Sequence, residues 1–293
     1  MVSTGSAKTE EYKAREYEFT ERDFAQVRKL IYEHAGISLS ENKQDMVYSR
    51  LSRRLREKGL SRFADYLKLL ETADAEEWQA FTNALTTNLT SFYREPHHFP
   101  ILAEHLAQRR RAGGEPLTVW CCAASTGEEP YTIAMTAIEA LKDSAPNVRI
   151  LATDLDTNVL AKADAGVYDL ERIEAVTAER TKRFFLRGKG ANAGVVKVRP
   201  ELRKLITFRQ QNLLDAKWPV RGPFDVIMCR NVMIYFDKET QRQILEKFAP
   251  LLRADGLLFA GHSESFFHSA HLFKLRGKTV YELAGKAQGL HGR

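Results

Sequence analysis

The sequence predicts an α/β chain: a small all-α domain, then a Rossmann-like doubly wound domain that carries a small antiparallel β-insertion. Three observations predict it. Apolar residues recur at helical spacing up to about residue 86, and no strand pattern precedes residue 100. From residue 116, short apolar runs alternate with helical stretches, as β-α-β units of a mainly parallel sheet do. Between residues 165 and 210 this alternation gives way to short strand-like runs broken by glycines. The expected organisation is a disordered lead-in over 1–18 and a helical domain over 19–87. The α/β domain follows over 88–284, with its insertion at 165–210, and a flexible tail at 285–293.

Thr20 with Asp23 reads as a cap, followed by Phe24, Val27, Leu30 and Ile31 on one helical face, and Gly36 closes that helix. Ser40 is expected to cap a second helix running to about Lys58, with Gly59 as its stop. A third helix over Ser61 to Glu71 buries Phe63, Tyr66, Leu67 and Leu70. A fourth over Ala75 to Thr86 buries Trp78, Phe81 and Leu85. Strands are expected at Leu117–Ala123, Val148–Thr153, Phe224–Cys229 and Gly256–Ala260. The intervening helices are Pro130–Leu141, Thr157–Ala163 and Lys238–Leu252. Phe273–Leu275 and Thr279–Leu283 form a closing hairpin across Arg276-Gly277-Lys278. In the insertion, Phe184–Leu186, Gly194–Val198 and Leu205–Phe208 read as short strands.

No apolar run approaches the roughly 20 residues of a membrane span, and the polar start has no signal-peptide core. Cys121, Cys122 and Cys229 lie in apolar runs and fit buried thiols of a reducing compartment, so a cytoplasmic location is expected. The histidines show no ligand spacing beside them, and no metal site is expected. The net charge of +6 is concentrated in two patches. Lys43 to Lys68 holds eight basic residues against three acidic ones, and Ala165 to Arg221 thirteen against six. On the second helix Arg50, Arg53, Arg54 and Arg56 share a broad arc facing away from Tyr48, Leu51 and Leu55, with only Glu57 near in sequence. A solvated face and a surface for an acidic partner both fit that arc.

The first strand runs into Ala123-Ala124-Ser125-Thr126-Gly127-Glu128-Glu129-Pro130, small residues that let a backbone approach a ligand. Glu129 at its mouth disfavours a phosphate and suits a ligand bearing a cation. Asp154, one β-α-β unit later, can accept both hydroxyls of a ribose, while Asp156 reads as a helix cap. An adenosine carrying a positive group fits both acids, which describes S-adenosylmethionine better than a dinucleotide.

The chain also resembles a known family. Asn88-Leu89-Thr90-Ser91-Phe92-Tyr93-Arg94-Glu95, Ala124 to Tyr131, Asn212-Leu213-Leu214, Cys229 to Phe236, Gly256 to Glu264 and Thr279-Val280-Tyr281 are similar to the chemotaxis receptor methyltransferases, the CheR family. The resemblance spans about residues 18 to 284. It implies a protein-glutamate O-methyltransferase that uses S-adenosylmethionine and releases S-adenosylhomocysteine. It implies cofactor contacts at Asn88, Thr90, Arg94, Glu129, Asp154, Asn212, Leu213, Arg230 and Asn231. Arg94 and Tyr235 are expected to place the substrate carboxylate, which is ionised at pH 7 and needs no general base. The Asn/Asp-Pro-Pro-aromatic sequence usual in methyltransferases of planar nitrogens is absent at Arg230–Met233.

The implied partners are the glutamate-rich cytoplasmic helices of chemoreceptors, met by Arg50, Arg53, Arg54 and Arg56. In relatives the insertion can also tether an extended receptor C-terminal peptide, for which Arg187, Lys197 and Arg199 are the candidates here. A monomer without nucleic-acid partner or membrane insertion is expected. The alternatives are a methyltransferase acting on RNA or a small acidic molecule, and a receptor-bound scaffold without turnover.

Overall fold

A computed structural model describes residues 15–113 and 116–285. The expected tails therefore lie outside the described residues, except for 15–18 and Gly285. Within the stretch expected to be a lead-in, Tyr17 lies edge-on to Phe63, and its amide donates to the Tyr48 hydroxyl at 3.2 Å.

Four helices make the first unit: α1 (Glu21–Ala35), α2 (Gln44–Lys58), α3 (Phe63–Thr72) and α4 (Ala75–Leu85). Thr20 and Asp23 form a capping box on α1, and Gly36 and Gly59 close α1 and α2 in the left-handed conformation. Ser40 does not cap a continuous helix. It heads a 3₁₀ turn, Glu41–Lys43, and its hydroxyl bonds Asn42 instead. The apolar faces meet in one core built on Val27, Ile31, Leu51, Leu55, Phe63, Tyr66 and Phe81.

The second unit runs α5 (His98–Arg111), β1 (Leu117–Cys121), α6 (Glu128–Leu141), β2 (Val148–Asp154), α7 (Thr157–Ala165), β3 (Val167–Asp169), α8 (Ala178–Phe184), β4 (Phe185–Arg187), β5 (Val195–Val198), α9 (Pro200–Arg203), β6 (Ile206–Gln210), β7 (Phe224–Cys229), α10 (Lys238–Phe248), β8 (Leu252–Ala260), β9 (Phe273–Gly277) and β10 (Val280–Leu283). The main sheet has the order β6-β2-β1-β7-β8-β10-β9, parallel except for β10, which is antiparallel to both its neighbours. Alternate residues of β1, with Cys122 just after it, serve two cores. Val119 and Cys121 join α5 and α6 on one face, and Trp120 and Cys122 join α10 on the other. The sequence order reverses between β2–β1 and β1–β7. That places a crevice at the carboxyl ends of these strands, where open α/β sheets bind ligands.

Three expectations need correction. Leu205–Phe208 is not part of the insertion: it opens β6, the parallel edge strand of the main sheet, with Ile206 registered on Ile150. Buried on one face only, an edge strand shows the same alternation as an insertion strand. The insertion sheet is β3-β5-β4, and its first strand, the three-residue Val167–Asp169, was not foreseen. The helix expected to reach Leu252 ends at Phe248, because Pro250 cannot continue it, and β8 begins at Leu252 after a 3₁₀ turn.

The arginine arc of α2 is also not a uniform free face. Arg50 points its Nη1 at the carbonyls of Ala84, Leu85 and Thr86, capping the C-terminus of α4. Arg54 pairs with Glu77, which is only 4% exposed and also receives Lys58 and the Tyr66 hydroxyl. Arg53 and Arg56 are exposed, with Glu57 and Glu16 as their partners. Two of the four arginines are thus built into the helical unit. Arg54→Ala leaves a buried carboxylate short of its principal partner and is expected to destabilise the fold by about 1–3 kcal/mol. Arg53→Ala is expected to cost under about 0.5 kcal/mol. Paired denaturant unfolding curves test the difference.

Candidate active site

The crevice opens into a cavity of about 250 Å³ walled by both units. The strand ends bring Cys122, Ala123, Ser125 and Glu129 from β1 and its loop, Asp154 from β2, Gln211 to Leu213 after β6, and Arg230 to Val232 after β7. The segment joining the units contributes Thr86 to Thr90 and Arg94. The helical unit contributes Ile37 to Ser40, Lys43 and Met46. Each expected cofactor or substrate residue lines this one cavity: Asn88, Thr90, Arg94, Glu129, Asp154, Asn212, Leu213, Arg230, Asn231 and Tyr235.

Gly127 enters α6 with φ 99°, and an added Cβ there would lie 2.7 Å from the Tyr168 hydroxyl, so the turn requires glycine. Asp154 accepts from the amides of Ser125 at 2.8 Å and Asp156 at 3.0 Å, which aims its carboxylate at the loop after β1. Burial lifts its pKa to about 6, with those amides pulling the other way. Asp156 caps α7 through the amides of Asn158 and Val159. Its second oxygen binds Thr86 Oγ1 at 2.7 Å and Asn88 Nδ2 at 2.9 Å, which fixes the joining segment to the sheet.

Glu129 carries the one revision to the charge argument. It is not an isolated anion at the loop mouth. Arg230, itself 4% exposed, places Nη1 2.5 Å from Glu129 Oε2, and the Cys121 thiol donates to Oε1 at 3.3 Å. Burial still raises the Glu129 carboxyl, against the pull of Arg230. The other Arg230 nitrogen donates to the Arg94 carbonyl at 2.5 Å and lies 3.5 Å from Glu95. Arg94 in turn sends Nη1 to the Leu89 carbonyl at 2.6 Å, which leaves its remaining N–H groups for a ligand. Tyr235 is half-buried in a 3₁₀ turn, and its carbonyl accepts from Ser38 of the helical unit.

Glu95, His97 and His98 bring one ligand atom each within 4.8 Å of one another. The Arg230 guanidinium beside the same carboxylate opposes a second cation there. Burial and Arg230 also push His98 down to about 4, which keeps its ring neutral at pH 7.

Residues 88–282 match the SAM-binding domain of the CheR methyltransferases, and residues 22–86 match their all-alpha domain. The chain belongs to the CheR methyltransferase family. It is 55% identical over 270 residues to chemotaxis protein methyltransferase 2 of Pseudomonas aeruginosa, covering 92% of this chain and 96% of that one. It is 53% identical over 262 residues to the chemotaxis protein methyltransferase of Escherichia coli, with 89% and 90% covered. A probable chemotaxis protein methyltransferase of Rhizobium etli is 42% identical, with 89% and 99% covered. The cofactor of this CheR chain is S-adenosylmethionine. The donor set fits it, since Asp154 can accept from a ribose and Leu213 and Leu39 offer apolar wall.

Several residues on or behind the cavity wall were not singled out from the sequence. Glu95 and Glu264 stand inside quoted motifs as acids among small and apolar residues, a signal that could have marked them. Lys43, Met46 and the Ile37–Ser40 stretch reach the cavity only through the packing of the two units, which leaves no local trace. Of the residues expected to meet a receptor, Arg187 on β4 and Lys197 on β5 are exposed and Arg199 is half-buried. Among the described residues, the edge of the insertion sheet at β4 pairs only with β5. Among the described residues no helix is long and apolar enough to cross a membrane.

The raised Asp154 pKa sets a pH dependence. A carboxylate accepts from a hydroxyl better when ionised, so with the expected ribose contact, affinity for S-adenosylhomocysteine should approach its full value by about pH 7. It should fall as pH drops through about 6, by up to about tenfold at pH 5. Calorimetric titration of the wild type and Asp154→Asn between pH 5 and 8 checks this. The variant should bind more weakly and with a flatter profile.

Proposed function

We propose that this CheR-family chain transfers a methyl group from S-adenosylmethionine to glutamate side chains of chemoreceptors, forming methyl esters. One observation carries the assignment: ten residues scattered from Asn88 to Tyr235 line a single cavity between the helical unit and the sheet. When bound, the cofactor supplies an electrophilic methyl group on a sulfonium. A glutamate carboxylate is already ionised at pH 7 and takes that methyl by displacement, so the site needs no general base. The protein's work is alignment and exclusion of water. Glu129 and Asp154 hold the cofactor, with Asn88, Thr90, Asn212, Leu213, Arg230 and Asn231 around it. Arg94 and Tyr235 place the incoming carboxylate: Arg94 has N–H donors beyond the one spent on Leu89, and Tyr235 lines the same cavity.

The domain division follows the same reading, with residues 19–87 choosing the receptor and 88–284 performing the transfer. Arg53 and Arg56 are the parts of the α2 arc left to meet acidic receptor helices, where charge governs encounter and orientation more than affinity. The β4 edge, with Arg187 and Lys197, suits an extended acidic peptide added as a further strand.

Incubation with radiolabelled S-adenosylmethionine and receptor-containing membranes should label the receptor band with base-labile methyl groups that release methanol. Tyr235→Phe is expected to lower that rate by about tenfold or more. Wild-type turnover in the variant would remove Tyr235 from the proposal. In the same assay Arg53→Glu should slow methylation most at low salt and leave cofactor affinity unchanged. Receptors truncated at their C-termini should respond less if the β4 edge binds a peptide.

A further inference from the structure

Asn231 is held by two carboxylates, one through its main chain and one through its side chain. It stands in the left-handed region at φ 58°, a conformation that a non-glycine residue keeps only when its surroundings impose it. Glu264, 5% exposed, supplies the main-chain hold. Its Oε2 accepts from the amides of Asn231 at 2.9 Å and Gly261 at 2.5 Å, and its Oε1 accepts from Met233 at 2.8 Å. Burial raises the Glu264 carboxyl, and these amides work against that rise.

Glu95 supplies the side-chain hold. Its Oε1 accepts from Asn231 Nδ2 at 3.1 Å and from His262, through the amide at 3.2 Å and Nδ1 at 2.9 Å. Burial pushes the Glu95 carboxyl up, but His262, Asn231 and Arg230 outweigh it and hold it at about 2, ionised throughout the working range. A carboxylate only accepts, so Nδ2 must face Glu95, and the Asn231 amide oxygen is the atom left for other partners. Gly261 completes the clamp: a Cβ there would sit 2.3 Å from Asn231 Nδ2.

The clamp also starts the turn that carries Tyr235. The Met233 amide hangs from Glu264, Gln241 Nε2 donates to the carbonyls of Met233 at 2.8 Å and Phe236 at 3.0 Å, and Tyr235 follows within that frame. Both oxygens of Glu264 accept, so a glutamine there would turn an N–H₂ group toward at least one backbone N–H.

We propose that Glu264 is a positioning residue for methyl transfer, setting Asn231 and the Tyr235 turn on the cavity wall through its bonds to the amides of residues 231, 233 and 261. The assignment rests on the roles given above to Asn231 and Tyr235.

Comparison of wild type, Glu264→Gln and Glu264→Asp tests it by three readouts: receptor methylation, calorimetric affinity for S-adenosylhomocysteine, and thermal unfolding. In Glu264→Gln, measured well below its melting midpoint, kcat should fall by about tenfold or more and product Kd should rise by about threefold or more. Glu264→Asp, which keeps an acceptor-only group, should recover part of both. A merely structural role predicts a lowered midpoint with wild-type kcat and Kd in the folded variant, and that result overturns the proposal. Should Glu264→Gln not fold, Glu264→Asp carries the same comparison, and wild-type kcat and Kd in it overturn the proposal equally. Absence of receptor methylation by the wild type would instead sink the functional reading, and the product Kd values would still test the clamp.

Discussion

The site depends on one enclosed cation. Arg230 leaves the end of β7 and meets Glu129 at the start of α6, Glu95 in the segment between the units, and the Arg94 carbonyl. Three stretches far apart in the chain are thereby brought to one point. A buried ion pair adds little net stability compared with an apolar contact of equal size, because both charges lose their hydration. Its value is geometric. An acid that moves away leaves the enclosed Arg230 charge short of a partner, which favours one arrangement of the wall.

Around that point the two units are joined by directional bonds and by close apolar contact. Ser38 donates to the Tyr235 carbonyl at 2.9 Å, and Asn212 Nδ2 donates to the His34 carbonyl at 2.9 Å. Gln79 donates to the Leu155 carbonyl at 3.1 Å, and Asn83 to Thr157 at 3.0 Å. Gly36 lets the end of α1 approach Leu214 and Phe236, since a Cβ there would lie 3.0 Å from the leucine methyls. The insertion is tied in from the other side: Arg172 pairs with Glu128, a fully buried acid one residue before Glu129. The loop after β1 thus has partners in the joining segment, at two other strand ends and in the insertion.

Much of this was legible in the residues. The four helices, the parallel strands and the Asp156 cap follow from local spacing and capping chemistry, which depend on neighbours in sequence. Asp154 was readable because its place one β-α-β unit after the first loop is itself a local pattern. What failed to show was non-local. Leu205–Phe208 has the alternation of any half-covered strand, and only its pairing with β2 tells which sheet it joins. Arg50 and Arg54 look like members of a free basic arc, because their partners, the end of α4 and Glu77, lie more than 20 residues away. Glu129 was read as an anion awaiting a ligand, when Arg230, about a hundred residues on, already faces it. Charge patterns along one helix report composition, whereas burial and pairing are decided by the fold.

The loop from Ile37 to Lys43, with Met46, forms part of the cavity wall although it belongs to the helical unit. The chain is therefore less modular than its two-part organisation suggests. A helical unit exchanged between relatives has to carry this loop in register with Tyr235 and Leu214, or it removes one side of the cavity. The receptor contacts proposed above, on the exposed side of α2 and at the edge of the insertion sheet, involve none of this wall, so substitutions there leave the cavity intact.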